Sequence, residues 1–397
     1  MSRRWSPRPI ARSSRSWLRS ALLTPALALT LGATTLSAQE ATAAPADEPV
    51  VSDAITFEDY DPPSTLAVPE SDIRRARYPF VDVHNHQWRM PTDDLAAVVA
   101  EMDALNMAVM VNLSGRLEDS AEHLQGCLDA AASQAPGRFL VFTNLSYEGL
   151  DDEGWGQREA DKIRADVAAG AAGLKIYKSL GMHVFDGAGE RLAVDDPRLD
   201  PIWAACGEAG VPVLIHTGDP APFWEPWDSE NERWLELKEK PRRKRDPETG
   251  PSWEQVMGEQ HNVFAKHPGT TFISAHLGWM GHDLGALSEL LDAHPNVYTE
   301  IGAVIAELGR QPRFAKAWFE RHQDRVLFGK DVWRPEEYWC YFRVLESADE
   351  YFDYYRRRHA FWKMYGLELS DTVLRKLYYG NALDLFPQLD RSLFPAD

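Results

Sequence analysis

Cysteine is scarce in this chain, and its spacing excludes two kinds of cysteine chemistry. The 397 residues hold three cysteines, Cys127, Cys206 and Cys340, which lie far apart in the sequence. An odd number of scattered thiols is not the pattern of a disulfide framework, and none has the spacing of a zinc-binding cysteine cluster. We therefore expect three buried free thiols.

The N-terminus lacks acidic residues and has only a short apolar run. Residues 1–38 contain six arginines and no acid, and their apolar core, residues 21–31, is about 11 residues long. A membrane-spanning helix needs ~20 residues. A basic segment, an apolar core and small residues ending at Ala38, or alternatively at Ala43, are typical of a secretory signal peptide; a disordered basic tail is the alternative. We expect a periplasmic or secreted protein without stable membrane insertion after signal removal.

Acidic residues outnumber basic ones in the rest of the chain. The formal net charge is −19, and removal of the six arginine charges of residues 1–38 leaves −25. A body this acidic argues against nucleic acid or an anionic membrane surface as a partner. The composition favours an enzyme that acts on a small-molecule substrate, and it is compatible with a homo-oligomer.

Regular secondary structure is predicted from residue 77 onward. Residues 39–76 are rich in Ala, Pro, Asp and Glu without periodicity, which predicts a flexible linker. Beyond them, short apolar runs alternate with segments of helical periodicity. The predicted strands are residues 79–84, 107–113, 138–144, 173–178, 211–216, 271–276, 296–301 and 325–329. The predicted helices include residues 93–105, 121–132, 158–169 and 284–294.

Eight strands that alternate with helices predict an α/β fold, a (β/α)8 TIM barrel over residues 77–390. An open doubly wound sheet is the alternative, but no G-x-G-x-x-G turn follows the first strand. A long insertion, residues 217–270, follows the fifth strand; we expect a lid over the barrel mouth or a separately packed helical hairpin. Its basic run, residues 240–245, is expected to be a solvated face. Residues 332–370 precede a closing helix, residues 371–379, in a C-terminal helical extension.

Two histidines lie one residue apart at the end of the first predicted strand. Because side chains alternate along a strand, His84 and His86 project from the same face about 7 Å apart, which suits one divalent metal. Four later strands also have a Lys, His or Asp at or near their C-terminal ends. These residues are Lys175, His216, His276 and Asp331. The C-terminal ends of barrel strands converge on one face, so we expect all six side chains to meet in one pocket.

These side chains predict a metal site. Imidazole and carboxylate ligands without a thiolate suit Zn, Mn, Fe or Ni. A metal with an incomplete set of protein ligands lowers the pKa of bound water toward about 7, and a neighbouring carboxylate can accept the proton. The strand ends therefore predict activation of water by a divalent metal.

The order of these motifs resembles the amidohydrolase superfamily, specifically its amidohydrolase-related branch, which includes decarboxylases and lactone hydrolases acting on carboxylated rings. The resemblance covers the barrel and its C-terminal helix. It implies that His84, His86 and Asp331 are metal ligands. By the same resemblance His216 would bind this metal or a second one, and His276 would bind a second metal, polarise water or transfer a proton.

Two lysines leave alternatives open. In two-metal members of the family, the lysine that Lys175 resembles is carboxylated by CO2 and bridges the metals; alternatively, Lys175 binds a substrate carboxylate or pairs with Asp331. A lysine inside a barrel is costly unless neutralised or paired, which favours a function for it. The second lysine is a departure from the relatives, which have Gly-Thr-Asp or Gly-Ser-Asp where this chain has Gly329-Lys330-Asp331. Alternation directs Lys330 away from Asp331.

The resulting prediction is a metal-dependent hydrolase acting on a C–N or C–O bond (amide, ester or lactone) of a small molecule. We expect one or two divalent ions, with zinc as the leading candidate, and Asp331 as the group that shuttles the proton. One alternative is a metal-dependent non-oxidative decarboxylase of a carboxylated ring compound, with His276 as proton carrier. The other is a catalytically disabled exported binding protein. Arg89, Arg116 and Tyr177 are the candidate substrate-binding residues.

Overall fold

The computed structural model describes residues 55–395. The chain divides into two units, Met1–Asp61 and Pro62–Asp397. The predicted signal peptide, residues 1–38, and residues 39–54 of the predicted linker lie outside the described residues. In the described part of the first unit, Thr56 donates a hydrogen bond to Asp59 over 2.7 Å. Among the described residues, no helix is both long and apolar enough to span a membrane.

The second unit is a parallel (β/α)8 barrel, as the sequence predicts. The strands are β1 Phe80–Asn85, β2 Met107–Asn112, β3 Phe139–Val141, β4 Thr143–Asn144, β5 Leu174–Ile176, β6 Val213–Ile215, β7 Phe272–Ser274, β8 Val297–Glu300 and β9 Val326–Leu327. Pairing runs in order from β1 to β3 and from β4 to β9, and every pair is parallel. Parallel strands are covered by helices on one side and by the packed barrel interior on the other, which explains their apolar sequences.

β3 and β4 are two halves of the predicted third strand. At Phe142 the backbone passes from one neighbour to the other: Phe142 N–H donates to Asn112 O and Thr143 N–H donates to Gly173 O, both over 2.9 Å. The first and last strands are also joined, since Val83 N–H donates to Phe328 O over 2.9 Å. These backbone bonds link the two groups of strands and connect β1 to the segment after β9.

Helices fill the connections between the strands. They are α1 Leu95–Leu105, α2 Ala121–Gln134, α3 Trp155–Ala169, α4 Asp200–Ala209, α5 Trp234–Glu239, α6 Trp253–Lys266, α7 Leu284–Ala293, α8 Ile305–Gly309, α9 Pro312–His322, α10 Tyr338–Glu346, α11 Asp371–Arg375 and α12 Asn381–Leu385. A π-helical turn, Lys376–Gly380, joins the last two. Side-chain caps begin several of them; Ser120, for example, accepts the His123 N–H over 3.1 Å at the start of α2. The three cysteines are buried and free, as expected.

The insertion, residues 217–270, borders the mouth of the barrel instead of packing separately. Val256 and Met257 of α6 form a small apolar cluster with Met182, and Trp279 packs against it. Met182 follows β5 and Trp279 follows β7, so the insertion packs on loops at the C-terminal ends of the strands. The basic run of the insertion, residues 240–245, was predicted to be a solvated face, and the structure agrees only in part.

In the basic run of this insertion, residues 240–245, some of the cations are exposed and others are paired with buried acids. Arg242 is exposed, as predicted. Arg243 and Arg245 instead bond to the buried carboxylates of Glu236 and Asp219. The prediction was wrong for Arg245 because a sequence run of cations does not reveal which distant acid each cation meets.

Candidate metal centre

The structure brings the strand-end side chains to the same end of the barrel. They are His84 on β1, His86 directly after it, Lys175 on β5, His216 after β6, His276 after β7 and Asp331 after β9. Two sets of three can offer ligand atoms that all lie within 4.8 Å of one another: His84 with His216 and His276, and His84 with His86 and Asp331. Because His84 belongs to both sets, the two sets form one continuous site.

Glu300, the last residue of β8, holds this site in place. Its side chain is fully buried, and its Oε1 accepts from His84 Nδ1 over 2.9 Å and from the His276 backbone N–H over 2.6 Å. With Nδ1–H donating to Glu300, the other nitrogen of His84 is left as the acceptor that faces the site. The sequence prediction missed Glu300, although it lies near the C-terminal end of the predicted strand 296–301, as the other site residues do on their strands.

The backbone after β7 is left-handed over four consecutive residues. The φ angle is 59° at His276, 56° at Leu277, 58° at Gly278 and 55° at Trp279. This conformation costs on the order of 1–3 kcal/mol at each residue with a Cβ, and such strain is concentrated at functional sites. It orients the His276 ring, whose Nδ1 lies 2.7 Å from Gly302 O.

His216 has one ring nitrogen without a protein partner. Its Nε2 is buried and has no hydrogen bond among the described residues, whereas its Nδ1 lies 3.3 Å from His276 Nε2. Trp279 covers both rings, with centroid distances of 5.6 Å to His216 and 4.5 Å to His276. Burial, followed by the charge of His276, lowers the pKa of His216 well below its ordinary value. The ring is therefore neutral, as a metal-binding imidazole must be.

Asp331 faces the open side of the site. Its Oδ1 lies 3.4 Å from His84 Nε2 and 3.8 Å from His86 Nε2, and its side chain is 27% exposed. Its φ of 85° is unusual for a residue with a side chain, and its N–H donates to His84 O over 2.6 Å. Burial alone raises the pKa of Asp331, but the histidines, His84 first, and Lys175 outweigh burial and lower the pKa. The carboxylate is therefore ionised at neutral pH.

Aromatic rings form one wall of the site. The His86 ring stacks on Trp88, with 4.8 Å between centroids and 6° between planes, and on Tyr177 at 5.8 Å. Ser114 Oγ lies 2.7 Å from His86 Nδ1 and 3.0 Å from the Tyr177 hydroxyl. Burial raises the pKa of Tyr177 to about 12, so the phenol keeps its proton. Tyr177 thus lies beside the site, and Trp88, 46% exposed, forms its outer edge.

Lys175 is buried within the site without an ion-pair partner. It is 1% exposed, and among the described residues no carboxylate lies within ion-pair distance of its amine. Its Nζ is 3.3 Å from His84 Nε2 and 5.7 Å from the Tyr177 ring centroid. Burial lowers the pKa of Lys175 to about 7, although Asp331 and Glu300 oppose the shift. Part of the amine is therefore neutral at pH 7, the form that reacts with CO2.

Lys330 points away from Asp331, as the alternation predicts. Its Nζ donates to Glu337 Oε2 over 2.5 Å. The backbone N–H of Lys330 donates to the buried Asp82, which also accepts from the His84 N–H, each over 3.1 Å, and from the Tyr338 hydroxyl over 2.6 Å. Burial raises the pKa of Asp82 to about 6, although these bonds oppose it. Asp82, which the sequence prediction missed, ties the two ends of the site together.

Arg89 and Arg116, the other candidate substrate-binding residues, have carboxylate partners of their own. The exposed Arg89 pairs with Asp93 over 3.3 Å. The largely buried Arg116 pairs with Asp119 and Asp166, each over 2.8 Å. In the part of the chain that the structure describes, neither guanidinium is bonded to the strand-end side chains.

The donor set fits a divalent metal ion. Nitrogen and oxygen ligands converge without a thiolate, and the buried Nε2 of His216 has no hydrogen-bond partner among the described residues. The second nitrogen of each of the other three site histidines is next to Glu300, Ser114 or the Gly302 carbonyl. Such outer partners orient metal-binding imidazoles.

The chain is similar to known proteins in sequence pattern and in fold. A family model described as amidohydrolase matches residues 81–388. Comparison with curated proteins found no match. An uncharacterised TIM-barrel protein from Bordetella bronchiseptica is 17% identical, with 78% of this chain and 99% of that chain covered and a TM-score of 0.50. A dihydroxybenzoic acid decarboxylase from a Polaromonas species, with bound manganese and the inhibitor 2-nitroresorcinol, is 14% identical, with 80% and 99% covered and a TM-score of 0.51. At these identities the two structures support the fold alone.

Proposed function

Since the chain belongs to the amidohydrolase family, a family of enzymes that includes decarboxylases, we propose that it is a metal-dependent hydrolase of a C–N or C–O bond in a small molecule. The observation that carries the proposal is the ionised, partly exposed Asp331 beside two histidines of the site. A carboxylate in this position can accept a proton from water and pass it to a leaving group. We propose zinc as the metal, because all of the ligands are imidazole or carboxylate.

The proposed metal ligands are His84, His86, His216 and Asp331. Lys175 and His276 would serve a second ion if two are bound. When bound, the ion would supply Lewis acidity, which lowers the pKa of water and polarises a substrate oxygen.

The chain's own residues supply the proton transfer and the enclosure. Asp331 takes a proton from the attacking water at its carboxylate and returns it to the departing nitrogen or oxygen. His276 is held at Nδ1 by the Gly302 carbonyl, so its Nε2 faces the site. Trp279 on one side and Trp88 on the other flank the histidines and limit access of water.

A second candidate function is non-oxidative decarboxylation of a carboxylated ring compound. It is supported by the family and by the likeness in fold to the dihydroxybenzoic acid decarboxylase with bound manganese. In that reaction the C–C bond to the carboxylate breaks, CO2 leaves, and a proton takes its place on the ring carbon. His276 would carry that proton, because its ring is oriented by a fixed backbone carbonyl.

The two reactions are separated by what they release. Metal content of the purified protein would be measured first, and then a panel of amides, esters, lactones and aromatic acids would be assayed for ammonia, free acid and CO2. We expect acid or ammonia release that stops when the metal is chelated and returns with zinc. Release of CO2 would instead favour the decarboxylase, and activity that is unaffected by chelation would contradict both.

We further propose that the protein works in a periplasm or outside the cell, since residues 1–38 have the pattern of a signal peptide.

A further inference from the structure

The outer hydrogen-bond partner of His86 differs in kind from that of His84. His84 Nδ1 lies 2.9 Å from a carboxylate oxygen of Glu300. An ionised carboxylate can only accept, so it fixes the proton of His84 at Nδ1. His86 Nδ1 instead lies 2.7 Å from the hydroxyl of Ser114, and a hydroxyl can either donate or accept. Ser114 alone therefore leaves open which nitrogen of His86 carries the proton.

A buried amide holds Ser114 beside His86. Ser114 lies two residues after the end of β2, is fully buried, and donates its backbone N–H to Asn112 Oδ1 over 3.0 Å. The same oxygen accepts the backbone N–H of Gln87, the residue after His86, over 2.9 Å. One side-chain oxygen therefore ties the segment that carries the serine to the segment that carries the histidine.

The Ser114 hydroxyl also contacts Tyr177, and this contact has a direction. Ser114 Oγ lies 3.0 Å from the phenol oxygen of Tyr177, and that phenol donates to Leu113 O over 3.1 Å. Asn144 Nδ2 donates to the same carbonyl over 2.8 Å, and the second lone pair of the carbonyl oxygen serves the phenol. Because a carbonyl oxygen only accepts, the single phenol proton goes to Leu113. The phenol oxygen is left as an acceptor for Ser114.

We propose that Tyr177 is a positioning residue that fixes the tautomer of His86 through Ser114. The Ser114 O–H donates to the phenol oxygen, so Ser114 Oγ accepts the Nδ1–H of His86. The other ring nitrogen, Nε2, lies 3.8 Å from Asp331 Oδ1 and is left without a proton, the form that binds a metal ion. The inference rests on the proposed function in taking His86 as a metal ligand. It leaves Tyr177 without a hydroxyl proton for a substrate.

The first test reads the tautomer of His86 directly in the metal-free full chain. Two-bond ¹H–¹⁵N correlation NMR of the chain labelled with ¹⁵N-histidine distinguishes protonated from unprotonated ring nitrogens, and the variant His86→Gln identifies the His86 signals. We expect Nδ1–H in the wild-type protein. In Tyr177→Phe the aromatic ring remains, but the serine hydroxyl is released to donate to Nδ1. We therefore expect the Nε2–H form to become populated in that variant.

The affinity for zinc gives a second readout. Competition with a chromogenic chelator would measure it for the wild-type chain, for Tyr177→Phe, for Ser114→Ala and for the double variant. We expect each single variant to bind zinc about tenfold more weakly, the scale of losing an outer partner of a metal-binding histidine. Because Tyr177 acts through Ser114, the double variant should bind zinc no more weakly than Ser114→Ala alone.

Tyr378→Phe is the matched control. The buried hydroxyl of Tyr378 donates to Glu346 over 2.6 Å, and Glu346 accepts from the N–H of Arg77, which precedes β1 at the opposite end of the barrel. This variant should change neither readout. An Nε2–H tautomer in the wild-type protein, an unchanged tautomer in Tyr177→Phe, or additive losses of affinity in the double variant would overturn the inference. Neither readout requires turnover, so failure of every compound in the activity panel would contradict the proposed function without altering this result.

Discussion

Lys175 and Lys330 are both 1% exposed at the same end of the barrel, but their surroundings are opposite. The Lys330 amine donates to Glu337 over 2.5 Å and to Val332 O over 2.8 Å. The Lys175 amine has a histidine nitrogen at 3.3 Å and, among the described residues, no ion-pair partner. A buried amine with a carboxylate partner stabilises the fold, whereas one without such a partner is a candidate for binding a ligand or for covalent modification.

The same contrast explains the unusual Gly-Lys-Asp sequence at the last strand. Lys330 adds a cation next to Asp331, but Glu337, which lies just before α10, neutralises it. The Lys330 ammonium also lies 5.4 Å from the Tyr338 ring centroid. The extra charge is therefore neutralised on the side of the strand that faces away from the proposed metal centre.

Removing a proposed metal ligand beside Lys175 should abolish activity without unfolding the chain. In His84→Ala and Asp331→Ala we expect most of the bound metal to be lost, and activity to fall by about 10³-fold or more, the scale of removing a group that acts in the transition state. Metal analysis, activity and thermal unfolding would be measured together. Asp93→Ala removes a carboxylate paired with Arg89 and serves as control. Full metal content in both site variants would exclude these residues as ligands.

Replacing Lys175 itself tests whether its lack of an ion-pair partner reflects carboxylation. Lys175→Ala should lower the metal content toward one ion per chain, because the carbamate that bridges two ions is lost. Added acetate or propionate should restore part of the activity, and Lys175→Arg should not substitute for the lysine. If Lys175→Ala keeps all of its metal and loses mainly substrate affinity, the lysine is a substrate-binding cation and the site holds one metal.

Replacing Lys330 should lower the stability of the fold without removing metal, the opposite of the result expected at Lys175. In Lys330→Ala we expect the free energy of unfolding to fall by about 2 kcal/mol, since Glu337 loses a buried partner but keeps Arg356. Metal content should not change. The double variant Lys330→Met/Glu337→Gln should recover part of the loss, because it removes the unpaired charge. Loss of metal with unchanged stability would reverse the comparison.

The pH dependence of stability should report on the buried amine of Lys175. Burial lowers the pKa of Lys175 from 10.5 to about 7. Between these values the unfolded chain binds a proton that the folded chain does not, so the stability of the metal-free protein should rise with pH from about 7 toward 10, by at most about 1.4 kcal/mol per pH unit. Urea unfolding at pH 7, 8 and 9 measures the slope. An equal slope in Lys175→Met would assign it to another group.

Strand and helix periodicity made much of the fold predictable. The predicted helix 121–132 corresponds to α2, and the predicted helix 284–294 corresponds to α7. The break at Phe142 was not predictable, because it depends on a change of partner from β2 to β5 and not on local sequence. Glu300 and Trp279 were missed for different reasons. Glu300 followed the strand-end rule but was not selected, whereas the position of Trp279 depends on the left-handed turn.

The sequence by itself determined which residues reach the C-terminal ends of the strands, because alternation and strand length are local properties and a parallel barrel gathers those ends on one face. Only the tertiary structure decided their partners. Lys330 meets Glu337, whereas Lys175 meets no carboxylate at ion-pair distance among the described residues. Likewise Arg245 reaches Asp219 from the far end of an insertion. Pairings of this kind depend on how loops distant in sequence pack together, and the periodicity of the sequence carries no record of that packing.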